Sequence, residues 1–238
     1  MINLPSFADS YEIHARYIPV AALGLAIAFA LFLLEIEYPF ANNLPITSQW
    51  AINTVVVIIL ALISDPFAKV GKYIEHLCYK KDGVAYYPTT KLLAEKNESN
   101  SILRDSAFKI IQVVYKVDLS KKKKNHSARI AEINQVVSFI RGEVGQEKMV
   151  LRANRIYGFC RNLLGGFILY FVFILGLGLF HFGNPEFPWN KAFYLLIATI
   201  VIAMAFWLQM RKAGEEYAQA LLNTFIVKFK NYNINEQQ

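Results

Sequence analysis

Cations gather in the run RIYGFCRNLLGG (155–166), where Arg155 and Arg161 flank Tyr157 and Phe159 and an apolar stretch begins at Leu163. Arg152, one helical turn earlier, shares a face with Arg155. Guanidinium forks pair with phosphate oxygens, and aromatic rings stack on bases, the combination that binds single-stranded nucleic acid without sequence readout. In an oligomer such arginines could form a basic ring around an anionic ligand. Placed at a membrane edge, the same arginines could instead anchor topology by touching lipid phosphates, and residue types alone leave both readings open. A second candidate is YYPTTKLL (86–93), in which two tyrosines and Lys91 could stack bases and hold phosphate. Its plainer reading is a helix N-cap by Thr89 or Thr90. Lys121 to Lys124 reads as a solvated loop that adds non-specific attraction for polyanions.

Other chemistries find no support. His14, His76, His126 and His181 stand outside any HExxH pattern, and no GxSxG, P-loop or GxGxxG occurs, so a non-enzyme is expected. Cys78 and Cys160 make no CxxC and have no histidine at ligand spacing. Neither a metal nor a cofactor is therefore expected, and both thiols should be free. The first residues carry Asp9 and Glu12 and no basic stretch, unlike a cleaved signal peptide.

Of the 238 residues, 55% are hydrophobic, and the mean hydropathy is +0.31. Four apolar stretches are long enough to cross about 30 Å of hydrocarbon as helices. They are Tyr17–Leu34, Gln49–Ser64, Leu163–Phe182 and Ala192–Met210. None has Asp, Glu, Lys or Arg within its apolar core, which argues against a proton-relay transporter. The net charge is +7, and 19 of the 25 cations lie between Asp65 and Asn162. The loop after the first span has none, and the loop after the third has only Lys191. The positive-inside rule therefore puts the central segment and both termini in the cytoplasm of a multi-pass inner-membrane protein.

The expected architecture is an all-α membrane protein with four transmembrane helices arranged 2+2. Residues 1–16 form a cytoplasmic tail, 17–64 a first hairpin, 65–162 a helical cytoplasmic domain, 163–210 a second hairpin, and 211–238 an amphipathic helix and tail. Within the domain, Phe67, Val70, Ile74, Leu77 and Cys78 recur at helical spacing. DGVAYYPTT should turn or run extended, and a helix capped by Ser99 or Ser101 should follow. A further helix sets Ile130, Ile133, Val137 and Ile140 on one face. Gln146 through Leu164 should continue as one helix into the third span. In the tail, Tyr217, Leu221, Phe225 and Phe229 follow at i+4 steps, fitting a helix that packs on the domain or lies along lipid.

Polar and small residues mark possible contacts within the membrane. Ala22, Ala26 and Ala30 form a small-residue stripe. Gln49 and Asn53 share a face of the second span and would either bond a neighbouring helix or line a wet path. Glu35 and Glu37 would form an acidic vestibule favouring cations if several subunits met there. Gly176 and Gly178 permit a bend or close packing. Gln49, Asn53, Glu35 and Gly176 are thus the pore or gate candidates.

At YYPTTKLLAEKNES, at RIYGFCRNLLG and at SYEIHARYIP the chain resembles the transmembrane effectors of the Hailong antiphage defence system. That family joins two spans, a helical domain with a PTT-[KR]-LL stretch, a YGF-x-RN-LL motif at the membrane, and two further spans. The resemblance implies a homo-oligomer, a tetramer, held inactive by a short single-stranded oligodeoxyadenylate that a partner nucleotidyltransferase makes. Loss of that oligomer releases the effector, which compromises the inner membrane. Carried over by motif, Pro88–Leu93 and Tyr157–Asn162 belong to the ligand-coupled region, which makes Lys91, Arg152, Arg155, Tyr157, Arg161 and Asn162 the candidate ligand residues. Cys160 departs from the family's basic or polar residue and removes one possible phosphate contact. A different class of function, a membrane-anchored sensor or scaffold that recruits a cytoplasmic partner without conducting, is also compatible with the residues.

Overall fold

The structure, a computed structural model, describes residues 13–34, 65–81, 83–96, 100–120 and 126–230, most of them helical. One π-helical turn, Ile13–Tyr17, leads into α1, Ile18–Leu33. Pro19 sits in the first turn of α1, where its missing N–H has no partner to lose. Helix α2 covers residues 65–78. Strands β1, Lys80–Lys81, and β2, Val84–Ala85, pair antiparallel across a turn in which Gly83 adopts φ +80°, a region glycine reaches without strain. Then come α3, Pro88–Ala94, α4, Ser101–Tyr115, and α5, His126–Val144. Two long helices follow: α6, Lys148–Phe180, and α7, Trp189–Lys230.

Among the described residues, three helical segments are long and apolar enough to cross a membrane: Ile13–Leu33, Lys148–Phe180 and Trp189–Lys230. The expected second span, Gln49–Ser64, lies outside the described residues, as do Glu35, Gln49, Asn53 and the Lys121–Lys124 run. The expected continuous helix from the domain into the third span is present as α6. The expected fourth span and the expected amphipathic helix beyond Met210 are one continuous helix, α7. Nothing between Met210 and Arg211 stops a helix, and a single interior glycine, Gly214, costs only about 1 kcal/mol relative to alanine.

The chain divides into two compact units. The first comprises residues up to Ile74 together with Gly158–Gln209. Its core gathers Val20, Leu23 and Ala30 of α1, Phe67 of α2, and Tyr170 and Ile174 of α6. Of the expected small-residue stripe only Ala30 is fully buried; Ala26 is half-buried and Ala22 exposed. Two glycines let α2 and α6 touch backbone to backbone. A Cβ on Gly165 would fall 2.7 Å from the Gly71 nitrogen, and one on Gly71 would fall 2.9 Å from the Arg161 carbonyl oxygen.

The face of α2 differs from the expected one. Phe67, Ala68, Gly71 and Glu75 are buried, whereas Leu77 and Cys78 are exposed. Apolar spacing misleads here because Gly71 is inside for its smallness and Glu75 for its hydrogen bond.

The second unit comprises Glu75–Tyr157 and the chain from Met210 onward. The expected face of α5 is inside, with Ile130, Ile133, Val137 and Ile140 all buried. The end of α7 packs in the same unit rather than apart from it. Tyr217, Leu221 and Phe225 are buried, the Phe225 ring stacks on Tyr115 with centroids 6.1 Å apart, and Lys228 Nζ donates to the Glu143 carbonyl at 2.7 Å.

Two capping expectations are revised. Helix α4 begins after Asn100, which makes no side-chain cap bond, while Ser101 is already helical and Ser99 lies outside the described residues. Helix α3 begins at Pro88, whose fixed φ suits a first helical position, so Thr89 and Thr90 fall inside the helix and are buried. The Thr90 hydroxyl donates to Asn134 Oδ1 instead, and Asn134 Nδ2 donates to the Ala85 carbonyl at 2.9 Å.

Candidate functional site

In the second unit, Tyr157 is the hub of a packed junction. It is 5% exposed, its hydroxyl donates to Glu75 Oε1 at 2.5 Å, and its ring stacks on Tyr217 at 6.1 Å and 8°. A carboxylate buried to this degree needs such a donor, since an unmatched one costs several kcal/mol of desolvation. Gly214 of α7 lets the parts close: a Cβ there would fall 2.8 Å from Pro88 Cγ and 3.1 Å from Tyr157 Cε2. Tyr79 lies beside them. Burial pushes its phenol up to about 12, the Glu75 carboxylate adds to that, and Arg211 works against it. One cluster thus ties α2, α3, α6 and α7 together through Glu75, Pro88, Tyr157 and Gly214.

Lys91 is half-buried in a cleft of about 190 Å³ that Pro88, Leu92, Glu95, Asn100, Glu215 and Gln219 also line. Pro88 therefore connects this cleft to the Tyr157 junction. The lining carries two carboxylates against one ammonium, so it is not a purely cationic pocket. The two tyrosines of YYPTTKLL are engaged within the fold: Tyr86 donates to Glu95 Oε1 at 2.9 Å, and the Tyr87 ring lies 6.2 Å from that of Tyr79.

Of the remaining candidates in this unit, Arg152 is exposed and Arg155 half-buried. In the first unit, Asn162 is 2% exposed and its Nδ2 donates to the Ala15 carbonyl at 2.5 Å, which fastens the π turn ahead of α1. The half-buried Arg161 donates from Nε to Asn162 Oδ1 at 3.4 Å, and Cys160 is buried. Among the described residues, nothing outside its own helix lies within 4 Å of a Cβ added to Gly176, whereas Gly178 faces Trp189 at 3.3 Å. Helix α6 passes through both glycines unbroken.

The structure thus brings both Tyr157 and Pro88 up to Gly214 and places Lys91 in the cleft that Pro88 also lines, but both Tyr157 and Asn162 use their polar atoms on protein partners. Sequence reasoning missed Glu75, Gly214, Gly71 and Gly165. The glycines stand in plain view in KVGKY, RNLLGG and RKAGEE, and Glu75 interrupts an otherwise apolar helical stripe. Among the described residues, no group of three or more His, Cys, Asp or Glu side chains could hold a metal. No protein-family model, curated protein or solved structure matches this chain.

Proposed function

We propose that the chain is a non-enzymatic, oligomeric effector of bacterial antiphage defence, resident in the inner membrane with four spans and cytoplasmic termini. A bound anionic ligand, a short single-stranded oligodeoxyadenylate made by a partner nucleotidyltransferase, holds the assembly closed as a tetramer. Its loss opens a conducting path that depolarises the membrane. The observation that carries this reading is continuity: α6 and α7 are each one unbroken helix that belongs to the cation-bearing second unit at one end and to the apolar first unit at the other. A ligand that binds one arrangement of the second unit more tightly than another shifts the population between them by that difference in affinity. A polyanion shared by several cationic subunits also releases counterions, which makes closure salt-dependent. The motif resemblance supplies the ligand's identity.

The test is expression with and without the nucleotidyltransferase, read by a membrane-potential dye. The reading expects depolarisation only when the effector is expressed alone. An unchanged potential at high effector levels would defeat it. The scaffold reading draws on exposed apolar side chains of the second unit, Ile102, Val113 and Phe139. It expects a co-purifying cytoplasmic protein and no ion flux from loaded liposomes.

A further inference from the structure

The cleft beside Pro88 holds charges that the fold does not use. Along α3 and its C-terminal cap, Pro88, Lys91, Leu92 and Glu95 line it at i+3, i+4 and i+7 spacing, one helical face. Glu215 and Gln219 reach it from α7, one turn apart, and Asn100 completes the lining. All of these residues belong to the second unit. Glu95 is committed within the fold: it accepts from the Tyr86 hydroxyl at 2.9 Å and lies 4.0 Å from Lys81 Nζ. Arg211, one turn before Glu215, is exposed and is not among the lining residues. Among the described residues, neither Lys91 nor Glu215 forms an ion pair.

A half-buried ammonium gains from an anion, and a carboxylate gains from a hydrogen-bond donor. Lys91 and Glu215 share one cleft without pairing with each other, so an occupant that carries both an anion and a donor gains twice. The amide of Gln219 is donor and acceptor at once and suits the edge of a planar heterocycle. Pro88 and Leu92, both buried, add an apolar wall. Sites for drug-sized ligands start at about 300 Å³. At about 190 Å³ this cleft admits one base, not a stretch of strand.

We propose that the cleft takes one terminal nucleotide of the regulatory strand, its phosphate on Lys91 and the exocyclic amine of its base on Glu215. Glu215 thereby selects bases that carry such an amine. Thymine presents a carbonyl oxygen where adenine presents the amine, which sets acceptor against acceptor. That the nucleotide belongs to a strand rests on the proposed function; the nucleotide site stands on the cleft.

The test uses the full-length chain in detergent, as wild type, Glu215→Ala and Lys91→Gln. The probes are deoxyadenosine monophosphate, thymidine monophosphate and a short oligodeoxyadenylate with a 5′-phosphate. Wild type should bind the adenine mononucleotide about ten-fold or more tightly than the thymine one, as loss of one charge-assisted bond implies. Glu215→Ala should erase that preference by weakening the adenine probe alone, and Lys91→Gln should weaken both mononucleotides. Glu215 is exposed, so its replacement leaves folding intact. Equal binding of the two mononucleotides by wild type, or a preference that survives in Glu215→Ala, would overturn the proposal. Wild type that binds the oligodeoxyadenylate but neither mononucleotide overturns the cleft site and leaves the function. The predicted mononucleotide preference without competition from the oligodeoxyadenylate upholds the cleft and removes the strand from the proposed function. Wild type that binds none of the three refutes both.

Discussion

Replacing Gly165 by alanine probes a backbone-to-backbone helix contact in the first unit. The new Cβ would lie 2.7 Å from the Gly71 nitrogen and 2.9 Å from its Cα, both backbone atoms that no rotamer change can move. Carbon needs about 3.5 Å for an ordinary contact, so α2 and α6 must separate by roughly 0.8 Å. Overpacking of this kind costs about 1–3 kcal/mol, and backbone against backbone belongs at the upper end. Alanine returns up to about 1 kcal/mol in helix propensity, leaving a net loss near 2 kcal/mol. For a chain of this size, that lowers the thermal midpoint by about 4–8 °C. Gly176→Ala is the internal control: beyond its own helix backbone, no atom of the described residues lies within 4 Å of its new methyl, so its midpoint should hold or rise. Tryptophan fluorescence on heating in detergent reads both. Equal midpoints for the two variants would refute the close helix contact.

Three further outcomes follow from the same structure, and a fourth, the reporter at Lys122, from the proposed orientation. Tyr157→Phe removes a donor from the buried Glu75 carboxylate and should cost about 1–3 kcal/mol in thermal stability, whereas Arg152→Gln, at an exposed position, should shift it by no more than about 0.5 kcal/mol. Phe225→Ala empties a fully buried site against Tyr115 and should cost about 3–5 kcal/mol, with earlier proteolysis of the chain beyond Met210. Tyr79 is held neutral in the fold, so its contribution is intact below pH 10 and lost as pH rises toward about 12. Tyr79 is among several phenols that burial raises, so ultraviolet titration should show one late phenol fewer in Tyr79→Phe than in wild type. A reporter fused at Lys122 should be active only in the cytoplasm.

Much of this architecture is legible in the sequence because membrane spans announce themselves by unbroken apolar length. The α5 face is legible because Ile130, Ile133, Val137 and Ile140 repeat at the helical period. What stays hidden is held by tertiary partners. Glu75 reads as a solvent residue until Tyr157, far along the chain, supplies its donor. Gly71 and Gly165 acquire meaning only when two backbones meet. The stripe of Tyr217, Leu221 and Phe225 has the same pattern whether it faces lipid or protein, and only the Tyr115 and Tyr157 rings decide for protein. The threonines of PTTKLL read as caps, yet Pro88 takes the start of the helix and sends Thr90 to Asn134.

The central claim, that an anionic ligand holds a membrane-conducting assembly shut, is tested most directly by ion release from liposomes bearing the purified protein. The account predicts flux from protein alone and its suppression by a short oligodeoxyadenylate, with suppression weakening as salt is raised. Liposomes that stay tight without ligand, or that leak equally with and without it, would contradict the account.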